Sequence, residues 1–157
     1  MSEQYTRATY NCNMRGSVVH YYVDTIEAWQ LLKDTEQGWH AGDGDGTGNS
    51  STISIEGIGY DSLDNVALLT AYLCVKHNLN PLKQIYTHQH WSGKFCPEYF
   101  LPDWDTFLDV VMDYYTAMTK VQPINNEVYN YITNPKIPAG TLPKDYATRE
   151  EVWTMLY

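Results

Sequence analysis

The sequence predicts an α/β fold in which a mixed central sheet is flanked by helices. One observation is that short runs of β-branched and aromatic residues alternate along the chain with amphipathic helical segments. Another is that 157 residues, 43% of them hydrophobic and 18% charged, suffice for one compact core and exclude a disordered chain. Because the predicted strands lie between the predicted helices, we expect the helices to pack on the sheet.

The first elements along the chain are predicted to be a short helix and a pair of strands. Ser2 can cap a helix over residues 2–14. β-branched and aromatic residues predict a strand over residues 17–24. A second strand over residues 27–32 is expected to pair with it through a turn.

A glycine-rich loop and a third strand are predicted next. Residues 41–50 contain four glycines, and Ala41 is their only apolar side chain other than glycine. This composition argues against a helix or strand that packs on the core. A strand is predicted over residues 52–60, with alternating faces. We assign Ile53, Ile55 and Ile58 to its apolar face and Ser54 and Glu56 to the other.

Two amphipathic helices are predicted in the second half of this unit. The first covers residues 62–78 and has apolar side chains at helical spacing on one face. A short strand over residues 84–87 separates it from the second helix, over residues 103–120. The apolar stripe of the second helix consists of Phe107, Val111, Tyr115 and Met118.

The sequence changes character after residue 120. Four prolines interrupt the next segment, and a final helix is predicted over residues 148–156 because Thr148 and Glu151 form a capping box. We therefore divide the chain into an α/β unit over residues 1–120 and a linker with a short helical element over residues 121–157.

The composition excludes several classes of function. The chain has 10 basic and 19 acidic side chains, and a net charge of −9 opposes binding to nucleic acids and to anionic membranes. No apolar run is long enough to span a membrane, and the polar N-terminal residues do not form a secretory signal peptide. The three cysteines are widely spaced and odd in number, which argues against a disulfide scaffold. We therefore expect synthesis in a reducing cytoplasm.

The segment after the predicted strand at 84–87 is the richest in metal-binding side chains. His88, His90, Lys94 and Cys96 lie within nine residues. Histidine and cysteine are natural zinc ligands, and a loop at a strand end can bring two ligands eight positions apart to one ion. His88 and Cys96 are therefore candidate zinc ligands. The alternative is that a histidine and a cysteine fall this close by chance.

Glu56 and Lys94 are candidate catalytic residues. A carboxylate in an apolar strand is costly to bury unless it is paired or used, and Glu56 would serve as a general base. The alternative is a strand-edge glutamate that faces solvent. Lys94 would stabilise the negative charge that develops on a carbonyl oxygen. The alternative is that Lys94 is an ordinary solvated lysine on the surface.

Trp39 and His40 precede the glycine-rich loop. An aromatic ring and an imidazole beside flexible backbone suit the rim of a substrate groove. The loop lacks the Lys-Ser/Thr ending of a phosphate-binding loop. Asp43 and Asp45 have a spacing that suggests calcium, but the glutamate of a helix–loop–helix calcium site is missing.

Five motifs in a fixed order resemble the zinc-dependent N-acetylmuramoyl-L-alanine amidases of type 2. This family includes phage endolysins and shares a fold with peptidoglycan recognition proteins. The motifs are His-Tyr-Tyr-Val (20–23), Trp-His-Ala-Gly-Asp-Gly (39–44), Gly-Asn (48–49), Ile-Ser-Ile-Glu (53–56), and His88 with Lys-Phe-Cys-Pro (94–97). None is specific alone, but their order and spacing are specific together over about residues 2–118.

The resemblance implies a peptidoglycan hydrolase whose open groove holds Zn²⁺ above the mixed sheet. It would cleave the amide between N-acetylmuramic acid and L-alanine of the stem peptide, and it would be made in the bacterial cytoplasm and act on the cell wall. His88 and Cys96 match two zinc ligands, Glu56 the residue that activates water, and Lys94 a lysine that supports the oxyanion. The motifs that line or support the groove contain His20, Trp39, His40 and Asn49.

The sequence departs from the family at its beginning. Members usually start with a strand like Val-Ile-His-Asn, whose histidine is the first zinc ligand, and no histidine precedes His20 here. The resemblance thus implies a sheet without its first strand and with unpaired edges, unless a neighbouring copy in a homodimer fills the gap. Because zinc sites normally hold at least three protein ligands, the alternative function is a non-catalytic peptidoglycan-binding module.

Overall fold

The computed structural model describes residues 17–120 and, by their backbone alone, residues 151–156. Its strands are β1 (Tyr21–Val23), β2 (Ala28–Gln30), β3 (Ile53–Ile58), β4 (Ile85–Thr87) and β5 (Glu151–Leu156). Its helices are α1 (Thr47–Ser51), α2 (Leu63–Lys76), α3 (Pro81–Gln84), α4 (His88–Ser92) and α5 (Trp104–Lys120). The predicted fold class, a mixed sheet with flanking helices, is confirmed.

Some sequence-based expectations fall outside this part of the chain. The predicted helix over residues 2–14 and the proline-interrupted segment after residue 120 are not among the described residues. The division of the chain at residue 120 therefore stays a prediction. Within the described ranges, every helix is too short or too polar to cross a membrane.

The strands form one five-stranded sheet in the order β2-β1-β3-β5-β4. β1 pairs in parallel with β3, with Tyr22 opposite Glu56, and antiparallel with β2. β5 is antiparallel to both β3 and β4. It follows that β1, β3 and β4 run in the same direction, so that their carboxyl ends lie at one edge of the sheet.

The predicted helix over residues 148–156 is wrong, because residues 151–156 form strand β5. Thr154 lies opposite Ile55 on one side and opposite Thr87 on the other. In a strand with neighbours on both sides, nearly all backbone N–H and C=O groups form hydrogen bonds, whereas the ends of a short helix leave several without one. This gain outweighs the capping box that predicted a helix. The sheet was expected to lack a strand, and β5, a segment of the same chain, lies between β3 and β4.

The larger core lies between the sheet and the helices α2 and α5. Alternate side chains of β1 and β3 face the apolar sides of these helices, which confirms both predicted amphipathic patterns. The buried residues of this core include Tyr21, Val23, Ile53, Ile55, Val66, Leu73, Phe107 and Val111.

The opposite face of the sheet is also covered. Tyr22 and Ile58 pack there with Val19 and Cys96. The assignment of Ile58 to the face of Ile53 and Ile55 is wrong, because the two-residue period of a strand places Ile58 on the other side. All six residues of β3 are buried as a result.

The glycine-rich segment is only partly a loop, since residues 47–51 form helix α1. The Asp43 carboxylate accepts hydrogen bonds from the backbone N–H groups of Gly48 (2.7 Å) and Asn49 (3.2 Å). Gly48 is buried, and a Cβ there would lie 2.5 Å from the Cβ of Ala41. The glycines thus permit close packing here, in contrast to the expectation that they prevent it.

Asp34 ties the loop after β2 to the end of α2. Its carboxylate, 6% exposed, accepts hydrogen bonds from Lys76 Nζ and His77 Nε2, both at 2.7 Å, and from the Tyr21 hydroxyl. Burial raises the pKa of Asp34, but these three hydrogen bonds outweigh burial and hold it at about 2.

We predict that Asp34→Asn lowers the free energy of unfolding at pH 7 by about 2 kcal/mol, because charge-assisted hydrogen bonds are lost. The pKa of Asp34 is depressed in the folded state, so its contribution is full above the ordinary value of 3.8 and is lost as the pH falls towards 2. Urea unfolding followed by tryptophan fluorescence should therefore show a smaller difference between variant and wild type at pH 3. Asp45→Asn, at an exposed position, is the control and should change stability by less than about 0.5 kcal/mol. If Asp34→Asn lowered the free energy of unfolding equally at pH 7 and pH 3, the depressed pKa of Asp34 would be contradicted.

Strand β5 predicts a pattern of amide hydrogen exchange. Residues 154–156 have partners on both sides, so each of their N–H groups donates to a neighbouring strand. All three amides should exchange as slowly as those of β3 when exchange is followed by NMR. Fast exchange, or protection of alternate amides as in an edge strand, would contradict a central position for β5.

Candidate active site

The sheet brings Glu56 and His88 to the same level. Ile55 and Thr87 both lie opposite Thr154 of β5. Glu56 is the next residue of β3, and His88 follows the last residue of β4. Two strand spacings separate β3 from β4, about 10 Å between backbones. Two residues that are far apart in the sequence thus lie at a similar level of the sheet.

Glu56 is fully buried and lies on the face of the sheet opposite the helical core. Its neighbours on that face are Tyr22, directly opposite in β1, and Ile58, two positions along β3. Cys96 packs in one cluster with Tyr22 and Ile58. Cys96 therefore lies on the same side of the sheet as Glu56, and the alternative of a solvent-facing glutamate is excluded.

His88 and Cys96 are held close together by the backbone between them. His88 begins α4, which the Thr87 hydroxyl caps by accepting a hydrogen bond from the N–H of His90 (3.3 Å). α4 ends at Gly93 in the left-handed conformation (φ 75°), which turns the chain back. The Cys96 carbonyl then accepts a hydrogen bond from the N–H of Gln89 at 3.1 Å. Both candidate ligands are buried, at 8% and 4% exposure.

The His88 imidazole is kept in its neutral form. Burial lowers its pKa, the positive charge of Lys94 lowers it further, and a hydrogen bond to the Ala41 backbone acts in the opposite direction. Neutral imidazole is the form that binds metals. Lys94 is exposed but lies near enough to His88 to influence it, so the structure places it beside the site.

His20 is a fully buried histidine with a defined tautomer. The N–H of Ser54 donates to His20 Nδ1 (3.1 Å), so this nitrogen is the acceptor. His20 Nε2 then carries the proton and donates to the carbonyl of Glu36 (2.9 Å). Burial lowers the pKa of His20. These contacts favour a role in supporting the sheet over contact with substrate.

His40 packs edge-on against His20, with ring centroids 5.7 Å apart, and is 4% exposed. Burial and the nearby imidazoles of His20 and His88 lower the pKa of His40 to about 3. Asn49 is 1% exposed. Of the four residues expected to line or support the groove, only Trp39 is substantially exposed, at 47%.

Two exposed aromatic residues that neighbour Cys96 in the sequence were not among the predicted site residues. Phe95 (57% exposed) lies between Lys94 and Cys96, and Tyr99 (44% exposed) follows shortly after. Their proximity to Cys96 in the sequence was the available signal. With Trp39, they give the chain exposed rings suited to contact with a ligand.

The chemistry of two buried side chains fits a metal. His88 and Cys96 offer an imidazole nitrogen and a thiol sulfur, the donor atoms that zinc prefers. Within residues 17–120, no group of three or more His, Cys, Asp or Glu side chains is placed to hold a metal ion. Catalytic zinc sites usually have three protein ligands, so these two residues alone would not complete one.

The structure thus combines a mixed sheet with a buried carboxylate and a buried thiol on one face, and with a buried imidazole that follows a strand of the same sheet. The family described as N-acetylmuramoyl-L-alanine amidase matches residues 1–99. The chain belongs to this family, and the resemblance inferred from the motifs is confirmed.

Curated relatives from Bacillus subtilis (strain 168) carry the same description. The N-acetylmuramoyl-L-alanine amidase XlyA is 40% identical over 94 residues, which are 56% of this chain and 31% of the relative. The N-acetylmuramoyl-L-alanine amidase CwlH is 36% identical over 111 residues, which are 66% of this chain and 44% of the relative. The chain therefore spans less than half the length of these relatives.

Solved structures with the same fold include endolysin domains. The catalytic domain of XlyA matches with a TM-score of 0.65 and 32% identity, over 70% of this chain and 74% of that chain. A mutant endolysin from Bacillus subtilis matches with a TM-score of 0.66 and 33% identity, over the same shares of the two chains. PlyL matches with a TM-score of 0.63 and 29% identity, again over 70% and 74%.

Proposed function

We propose that this chain is a peptidoglycan amidase domain that cleaves the bond between N-acetylmuramic acid and L-alanine, and that it acts on the bacterial cell wall. The observation that carries the proposal is the placement of a fully buried carboxylate, Glu56, at the level of His88 and on the side of the sheet where Cys96 packs. A carboxylate is costly to bury unless it is paired, hydrogen-bonded or used. Membership in the amidase family supplies the reaction.

Glu56 acts as the general base and acid in the proposed reaction. It accepts a proton from the water whose oxygen bonds to the amide carbonyl carbon. It then gives this proton to the alanine nitrogen as the carbon–nitrogen bond breaks, so that a lactyl carboxylic acid and a free amine result. Lys94 supports the negative charge that develops on the carbonyl oxygen.

His88 and Cys96 hold zinc in this proposal. A bound zinc ion supplies Lewis acidity for the carbonyl and lowers the pKa of water. Support comes from their burial, the short backbone link between them and the neutral state of His88. Trp39, together with Phe95 and Tyr99, offers rings for the glycan or stem peptide.

A second candidate function is binding of peptidoglycan without cleavage. One observation favours it: residues 17–120 contain no group of three metal-ligating side chains. A zinc ion held by two protein ligands is bound more weakly than one held by three. Binding of muropeptides with no release of stem peptide, even with added zinc, would identify this function.

We predict that Glu56→Gln lowers the rate of amide cleavage by at least about 100-fold, because glutamine cannot transfer the proton. The measurement is the release of free alanine amino groups from purified cell walls. Glu98→Gln, at an exposed glutamate beyond Cys96, is the matched control and should retain wild-type activity. More than half of the activity remaining in Glu56→Gln would refute the role of this residue.

We also predict that His88→Ala and Cys96→Ser each abolish stoichiometric zinc binding, since each removes one of two protein ligands. Zinc bound after equilibrium dialysis is measured by elemental analysis. His90→Ala removes an exposed imidazole from the same helix and should leave zinc content unchanged. Full zinc occupancy in either ligand variant would rule out the assigned pair.

A further inference from the structure

We propose that Asn49 is a positioning residue that fixes the His88 imidazole through the backbone of His40 and Ala41. The inference rests on the metal role of His88 proposed above. It gives Asn49 a task different from the substrate contact expected from the sequence, since the Asn49 side chain is 1% exposed.

The Asn49 side chain amide is fully engaged with backbone groups. Its Oδ1 accepts hydrogen bonds from the N–H of His40 (2.6 Å) and of Ala41 (2.7 Å). Its Nδ2 donates to the carbonyl of Gly44 (2.8 Å). One side chain thus holds both peptide units on either side of the His40 Cα and the far end of the glycine-rich turn.

The partner of the His88 ring is the Ala41 carbonyl, in the peptide unit that directly follows the two held by Asn49. The hydrogen bond between the ring and the Ala41 backbone raises the pKa of His88, as an accepting carbonyl does. A Cβ on Gly42 would lie 3.5 Å from His88 Nε2 and 3.0 Å from the Cβ of Ser92, so the loop rests directly on α4. Because the Ala41 carbonyl and the Gly42 Cα belong to one peptide unit, we infer that this carbonyl meets the Nε2 end of the ring.

A hydrogen bond at Nε2 has a chemical consequence for the opposite nitrogen. When Nε2–H donates to a carbonyl, the imidazole is locked in one tautomer and one orientation, and the lone pair is on Nδ1. Such outer partners of a metal-binding histidine typically contribute about 10- to 100-fold to metal affinity. Asn49 provides this effect by keeping the Ala41 carbonyl in place.

Asp43 keeps Asn49 itself in place. Its carboxylate accepts hydrogen bonds from the backbone N–H groups of Gly48 and Asn49 near the start of α1. Gly42 has a φ of 76°, so an added side chain there would strain the turn as well as meet α4. The connection from α1 to α4 is therefore short and rigid.

The experiment separates positioning from general stability with three variants in α1 and at its C-cap. Asn49→Ala removes the acceptor for the His40 and Ala41 N–H groups. Thr52→Val removes another buried hydrogen bond of this helix end, from Thr52 Oγ1 to the Gly48 carbonyl, and leaves the Ala41 backbone untouched. Asn49→Asp retains the acceptor oxygen and serves as the conservative variant.

The first readout is independent of metal. Nitrogen-15 NMR of the full chain with a chelator present, at neutral pH, reports the tautomer of His88. We expect the Nε2–H form in wild type, Thr52→Val and Asn49→Asp, and a mixture of both tautomers in Asn49→Ala. An unchanged tautomer in Asn49→Ala overturns the positioning role, whatever the protein does with zinc.

The second readout is zinc affinity, measured by competition with a chelating indicator. Asn49→Ala should weaken binding by about tenfold or more, and Asn49→Asp and Thr52→Val by no more than about threefold. If Thr52→Val and Asn49→Ala weakened zinc binding equally, the loss of affinity would reflect general destabilisation, and the proposal would be overturned. A tautomer change in Asn49→Ala together with zinc binding that survives His88→Ala would support the positioning of the ring and refute the metal role.

Discussion

The register of β3 is the constraint on which the rest of this structure depends. Ile55 is paired on both sides, with Tyr21 in β1 and with Thr154 in β5. Because side chains alternate along a strand, this register directs Ile55 into the helical core and Glu56 to the opposite face. A slip of one residue would exchange the two, putting a carboxylate into the core and removing it from the site.

Several buried polar groups lie around Glu56, and two of the imidazoles bond to backbone groups. His20 bonds to Ser54 and Glu36, and His88 to the Ala41 backbone. Burial lowers the pKa of His20, His40 and His88, so the cluster carries neutral imidazoles at neutral pH. Neutral rings avoid the cost of buried charge and leave nitrogen lone pairs for hydrogen bonds or a metal.

Cleavage and binding make different demands on the same site. Both would use exposed aromatic rings such as Trp39 and Phe95. Cleavage also needs Glu56 within reach of a water molecule and a metal held firmly enough to act. In the proposed reaction, Cys96 and His88 would hold this metal with a thiol and an imidazole. With so few protein ligands, the orientation of the His88 ring would matter to metal affinity, and the proposed role of Asn49 is to fix that orientation.

The sequence by itself determined the elements whose signals are local. The spacing of apolar residues predicted α2 and α5, and the nearness of His88 and Cys96 along the chain predicted their chemistry. Only the tertiary structure decided that residues 151–156 form a central strand, that Glu56 and His88 share one level, and that Asn49 is buried. The physical reason is that caps and periodicity act within a few residues. Strand pairing and side-chain bonds to distant backbone depend on segments that meet only in the folded chain.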